Sequence, residues 1–178
     1  MKNIQQVTDT IIQQGILPLY FNSDETISVE VLKAIYKAGI KAVEYTHRGD
    51  TALNNFKALV QLRNLEMPDL LLGIGTIKNL NQAKEYLQAG ADFIISPGFV
   101  PEIASYTLSN DIFYGPGCMT PTEIIAAENA GEKFIKLFPG NMLGPDFLSG
   151  IKDIFPNLRF MPTGGVDTTR GNIEGWFK

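Results

Sequence analysis

Lys136 stands in the middle of an apolar run, residues 133–138, that has the composition of a buried strand. Alternation along a strand places Ile135 and Leu137 on one face, where they would pack on outer helices, and Lys136 on the inward face. Desolvation there lowers the pKa of an ammonium, and the resulting neutral amine can attack a carbonyl to form a Schiff base. A lysine that reaches solvent from the strand end, or that pairs with Glu44 for structure, is the alternative.

Glu44 and Arg48 are the other charged residues whose positions suggest chemistry. Glu44 shares a strand face with Ala42 and Thr46, so it also points inward. A carboxylate beside a desolvated lysine can transfer protons, although a structural buried pair is the other interpretation. Arg48 follows the strand end, where a guanidinium could bind a substrate carboxylate, and a surface arginine fits this position equally well.

Strand-length apolar runs alternate with longer runs of helical period, which is typical of a parallel sheet with crossover helices. The seven strands are predicted at residues 16–21, 42–46, 70–76, 93–96, 112–115, 133–138 and 159–163. We expect an N-terminal helix at residues 4–14, a helix that Asp50 caps and that runs to Leu65, and a helix at residues 145–154. A proline-started helix should begin after Thr120.

Polar residues and glycines gather at the C-terminal ends of these strands, which meet at one mouth in a closed barrel and spread along an edge in an open sheet. We therefore predict an α/β chain with the (β/α)8 TIM-barrel fold, lacking its eighth strand, rather than a doubly wound sheet. Thr163-Gly164-Gly165 follows the last strand and offers a weak signal for phosphate binding. At Gly73 and Gly75 the strand context favours close approach of a substrate.

Composition limits the classes of protein that fit. The chain has 178 residues, which suits a single domain, residues 1–178, and its net charge of −4 argues against a nucleic-acid surface. No apolar run approaches the roughly 18 residues of a membrane span. The single histidine, His47, excludes a His-rich metal site, and the single cysteine, Cys118, fits a reducing cytoplasm. We interpret both residues as structural or peripheral.

Several short motifs together resemble one family. They are residues 43–48 (VEYTHR), 75–76 (GT), 95–98 (ISPG), 134–139 (FIKLFP) and 162–165 (PTGG). In order and spacing they are similar to the 2-keto-3-deoxy-6-phosphogluconate (KDPG) aldolase family, which includes bifunctional 4-hydroxy-2-oxoglutarate aldolases. The resemblance covers essentially the whole chain.

The resemblance implies a class I aldolase of carbohydrate metabolism (the Entner–Doudoroff pathway) that needs no metal or cofactor, takes a phosphorylated 2-keto acid and forms a homotrimer. Lys136 would form the Schiff base with pyruvate, and Glu44 would be the general acid and base. The substrate-binding residues would be Arg48 and Thr76 on the pyruvate carboxylate, Thr163 in the same pocket, Pro97 and Phe138 as its walls, and Gly164 and Gly165 near the distal phosphate.

Two features depart from the family pattern. Tyr45 and His47 stand where members commonly have aliphatic residues, and we expect Tyr45 to alter packing and His47 to lie at the pocket rim. The sequence also stops before the family's eighth strand, so we expect a C-terminal truncation. A TIM-barrel isomerase or synthase without Schiff-base chemistry and a non-catalytic carboxylate-binding homologue are the alternatives to an aldolase.

Overall fold

The computed structural model describes residues 2–177, in which eight strands alternate with eight helices apart from one strand-to-strand step. The helices are α1 (Ile4–Gln14), α2 (Glu25–Lys37), α3 (Ala52–Glu66), α4 (Leu80–Ala89), α5 (Pro101–Ser109), α6 (Pro121–Asn129), α7 (Gly140–Ile151) and α8 (Arg170–Trp176). The strands are β1 (Leu19–Tyr20), β2 (Ala42–Thr46), β3 (Leu71–Gly75), β4 (Phe93–Ile95), β5 (Phe113–Gly115), β6 (Gly117–Cys118), β7 (Phe134–Leu137) and β8 (Arg159–Pro162).

All paired strands are parallel and run in chain order, from β1 to β5 in one sheet and from β6 to β8 in the other. Pro116 is the one residue between β5 and β6. It interrupts the ladder because proline has no backbone N–H. The Gly115 carbonyl still accepts from Ser96 N–H (3.1 Å), and the Pro116 carbonyl accepts from Lys136 N–H (2.9 Å). The segment therefore joins both sheets into one curved wall.

The wall has the seven strand positions predicted from the sequence, since β5 and β6 together form the fifth. Helices follow the strands as in a TIM barrel, which confirms the predicted fold class. Within residues 2–177, β8 does not pair with β1, so this part of the chain leaves the barrel unclosed.

Alternation along the strands separates an inner from an outer core. The inner cluster consists of the residues that begin five strands (Ala42, Leu71, Phe93, Phe113 and Phe134), together with Ile95, and it packs on Val7 and Ile11 of α1. Outward-facing residues such as Val43 and Ile135 pack among the helices instead. Through its contacts with the inner cluster, α1 covers the N-terminal end of the barrel.

Three local predictions need correction. β1 is shorter than predicted because Pro18 has no N–H, and the amide of Gln14 takes over the ladder by accepting from Lys41 and Ala42 N–H. Asp50 does not cap α3.

Thr51 holds the N-cap position of α3, without a side-chain cap bond. The helix predicted to start at residue 145 is the second part of α7. The whole of α7 begins at Gly140 and is interrupted at Gly144, where φ is 73°. The predictions for α1 and for the Thr120 cap are confirmed, the latter with a reciprocal Thr120–Glu123 capping box. No helix within residues 2–177 is long and apolar enough to cross a membrane.

Candidate active site

Lys136 and Glu44 meet inside the barrel, as their strand alternation predicts. They come from β7 and β2, which lie in different sheets, so the two side chains reach toward each other across the interior. Lys136 Nζ lies 4.0 Å from Glu44 Oε1, and the side chains are 6% and 1% exposed. These are the only acid and amine that the described residues bring together in this interior.

Burial moves both groups toward their neutral forms. Desolvation lowers the pKa of Lys136, with a smaller contribution from the Arg48 charge, against the opposing effect of the Glu44 carboxylate. Desolvation also raises the pKa of Glu44, against the opposing effects of Lys136 and Arg48. The separation of 4.0 Å exceeds hydrogen-bond length, and neither Glu44 oxygen receives a hydrogen bond from the described residues. A buried pair without hydrogen bonds is a poor source of stability, which favours a chemical role.

A glycine makes the room that the Glu44 carboxylate occupies. A Cβ atom at Gly75 would overlap Glu44 Oε1 and Cδ and lie 2.9 Å from Glu44 Cγ. At Gly73 a Cβ atom would overlap the ring of Phe93. The space beside these glycines is thus filled by protein side chains, whereas the sequence had suggested substrate approach there.

Thr76, directly after β3, has a left-handed backbone with φ at 65°. This conformation is rare for a β-branched residue, and such strain costs about 1–3 kcal/mol and concentrates at functional sites. The half-buried Thr76 lies at the C-terminal end of the barrel strands, as predicted. Its conformation was not foreseen, because no local sequence signal marks a left-handed threonine.

The other predicted binding residues follow the ends of the strands. Arg48 is exposed beyond β2, yet its charge acts on both Lys136 and Glu44. The ring centroid of Phe138 lies 5.2 Å from Lys136 Nζ. Pro97 is half-buried after β4, and its carbonyl lies against Gly117, where a Cβ atom would overlap it.

The loop after β8 is joined to the start of α7. The Thr163 carbonyl accepts from Gly140 N–H (2.6 Å), and Thr163 N–H donates to the Leu137 carbonyl (2.9 Å). Gly164 and Gly165 both have positive φ, 92° and 74°, and a Cβ atom at Gly165 would overlap Asn141 in the first turn of α7. These contacts fix the backbone of Thr163, Gly164 and Gly165 beside β7, the strand that carries Lys136.

The residues interpreted as structural lie away from the Lys136–Glu44 pair. Tyr45 is fully buried among the outer helices, where its hydroxyl donates to the Asn22 carbonyl (2.8 Å). His47 is turned toward α4, with Nδ1 2.8 Å from the Tyr86 hydroxyl. Burial raises the pKa of the Cys118 thiol to about 12, which makes it a poor nucleophile.

Comparison with known proteins relates this site to a family. A sequence profile described as KDPG and KHG aldolase matches residues 7–178. The chain belongs to the KDPG and KHG aldolase family. A 2-dehydro-3-deoxy-phosphogluconate aldolase from Pseudoalteromonas atlantica is 32% identical over 172 residues, covering 94% of this chain and 77% of the relative. The corresponding enzyme of Treponema pallidum is 34% identical over 140 residues, which are 78% of this chain and 65% of the relative.

A solved aldolase has the same fold. KDPG aldolase from Legionella pneumophila, solved with pyruvate captured at low pH as a covalent carbinolamine, superposes with a TM-score of 0.81 at 28% identity. The match covers 89% of this chain and 75% of the Legionella chain. The family therefore supports carbon–carbon lyase chemistry through a covalent pyruvate intermediate.

Proposed function

We propose that the protein is a class I aldolase. It cleaves 2-dehydro-3-deoxy-6-phosphogluconate to pyruvate and glyceraldehyde 3-phosphate, 4-hydroxy-2-oxoglutarate to pyruvate and glyoxylate, or both. The observation that carries this proposal is the buried Lys136 amine, with its lowered pKa, 4.0 Å from a buried Glu44 carboxylate that has no other partner among the described residues.

The reaction follows from these two groups. The neutral Lys136 amine adds to the C2 keto group, and the carbinolamine then takes a proton from Glu44 and loses water to give a protonated imine and the Glu44 carboxylate. This cation accepts the electron pair of the C3–C4 bond, which breaks as Glu44, directly or through a water, takes the proton of the 4-hydroxyl group and the aldehyde leaves. The enamine is then protonated at C3, and hydrolysis of the imine releases pyruvate and the free lysine. Because the imine polarises the substrate, no metal ion is required.

The remaining predicted residues would bind the substrate. Arg48 would form paired hydrogen bonds with the carboxylate, and the Thr76 hydroxyl would donate a further one. The Phe138 ring and Pro97 would wall the keto-acid end, with Thr163 in the same pocket. Gly164 and Gly165, whose loop meets the first turn of α7, would offer backbone N–H groups to a distal phosphate.

The resemblance also leads us to propose a cytoplasmic homotrimer that serves the Entner–Doudoroff pathway. The prediction of a single domain belongs with this proposal. Light scattering would test the trimer.

The test of the mechanism is reductive trapping. Incubation with pyruvate and borohydride should add a reduced pyruvyl group to Lys136, found by peptide mapping. Lys136→Ala should abolish both the adduct and turnover while the thermal unfolding midpoint stays close to that of the wild type, because it removes a desolvated amine. Lys133→Ala, at an exposed lysine beside the same strand, is the matched control and should retain both. Turnover by Lys136→Ala would overturn the mechanism.

A further inference from the structure

The strained backbone of Thr76 is held by hydrogen bonds on both sides. The Gly75 carbonyl accepts from His47 N–H (2.9 Å), and Ile77 N–H donates to the Ile95 carbonyl (3.3 Å). Lys78 N–H donates to the side-chain oxygen of Gln82 (3.0 Å). A conformation that costs free energy persists only where its surroundings impose it, so these contacts hold the Thr76 backbone in the conformation from which its hydroxyl projects.

The His47 side chain ties these contacts together. Its Nδ1 lies 2.8 Å from the Tyr86 hydroxyl, and its Nε2 lies 3.4 Å from Gln82 Nε2. The rings of His47 and Tyr86 meet edge to face at 5.5 Å, and fully buried Tyr86 packs in the same way on Phe56 at 5.2 Å. The histidine is therefore anchored in the rigid outer core through α4.

Arg48 is the residue that follows His47. Its N–H donates to the Thr46 carbonyl (3.0 Å), which turns the chain directly after β2. His47 thus connects the segment that carries Arg48 with the segment that carries Thr76. Its main-chain N–H binds the Gly75 carbonyl, and its ring contacts Tyr86 and Gln82 of α4.

We propose that His47, Gln82 and Tyr86 form a clamp that positions Thr76 and Arg48 to bind the substrate carboxylate. This inference rests on the proposed function. His47 is a positioning residue, because its ring contacts Tyr86 and Gln82 rather than the Lys136–Glu44 pair. Loss of the clamp should weaken keto-acid binding and leave the imine chemistry of Lys136 intact.

The test compares His47→Leu, Tyr86→Phe and the double variant with the wild type, by the pyruvate concentration that gives half-maximal borohydride trapping. We expect this concentration to rise about tenfold in each single variant, equivalent to about 1.4 kcal/mol. The maximal trapping rate and its pH profile should stay within about twofold of wild type, because Lys136 is untouched. The double variant should bind no more weakly than His47→Leu, since both changes break the same contact. Gln88→Ala, at an exposed position on α4, is the control and should match the wild type.

The outcomes separate the clamp from the proposed function. If the wild type traps pyruvate and the variants lose thermal stability without a change in half-maximal concentration, His47 has only a structural role and the clamp is refuted. If the wild type forms no adduct at all, the proposed function is wrong and the clamp falls with it. Should His47→Leu fail to fold, Tyr86→Phe, which removes only one hydroxyl, decides the question.

Discussion

Gly75→Ala should disable the enzyme through Glu44. The added methyl group would overlap Glu44 Oε1 and Cδ and would lie 2.9 Å from Cγ, whereas normal carbon–carbon contact is about 3.5–4.0 Å. Cγ alone must therefore give way by roughly 0.6–1.1 Å, and the overlapping carboxylate by more than about 1 Å. Because the carboxylate is the far end of a flexible side chain, the displacement need not disturb the barrel wall.

The expected loss is in catalysis. Misplacing a catalytic group by about 1 Å costs on the order of 100-fold in rate. We expect kcat for cleavage of 2-dehydro-3-deoxy-6-phosphogluconate to fall by about that factor, while pyruvate trapping on Lys136 persists, because the three atoms nearest the added methyl group all belong to Glu44. Overpacking should cost no more than about 1–3 kcal/mol of unfolding free energy.

The assay measures pyruvate release in steady state, alongside urea unfolding. Gly73→Ala places the same methyl group on the same strand against the Phe93 ring, so stability should suffer more there than in Gly75→Ala. Gly150→Ala meets no atom within 4 Å and should retain activity. A folded Gly75→Ala variant with kcat within about twofold of wild type would refute the assignment of Glu44 as a position-sensitive proton carrier.

Two further predictions concern buried carboxyl groups. Glu44→Gln keeps the side-chain shape but removes the proton acceptor, so kcat should fall by about 10²–10⁴-fold while the reduced pyruvyl adduct on Lys136 still forms; loss of the adduct would contradict separate roles. Burial raises the pKa of Glu132 from an ordinary value of 4.5 to about 8, so between these pH values the unfolded chain loses a proton that the folded protein keeps. Ionisation of Glu132 should therefore lower stability as pH rises through this window, by at most about 4–5 kcal/mol. In urea titrations at pH 5 and pH 9, Glu132→Gln should lose less stability than the wild type, and equal losses in the two proteins would refute this expectation.

Much of the site was predictable because strand alternation is a local property. The apolar neighbours Ile135 and Leu137 already require Lys136 to face inward, and Val43 and Tyr45 do the same for Glu44. Parallel topology then brings both side chains into one interior. Hydrophobic periodicity is also local, so the N-terminal helix and the seven strand positions could be predicted from the sequence.

Contacts between distant segments required the tertiary structure. The length of β1 depends on the Gln14 amide replacing a ladder partner, and the division of the fifth wall strand depends on how Pro116 meets its neighbours. Pro18 and Pro116 mark in the sequence where each ladder can break. The groups that replace the missing bonds, such as the Gln14 amide that accepts from Lys41 and Ala42, come from distant segments, which local propensity does not reveal.

The sequence by itself determined the chemical groups and the direction in which they point. Only the tertiary structure decided the 4.0 Å between Lys136 Nζ and Glu44 Oε1, the space beside Gly75 that the Glu44 carboxylate occupies, and the left-handed backbone of Thr76. The physical reason is that the side of the sheet to which a residue points follows from the two-residue period of its own strand. Distances between side chains, the space around them and backbone strain depend on how several strands and helices pack against one another.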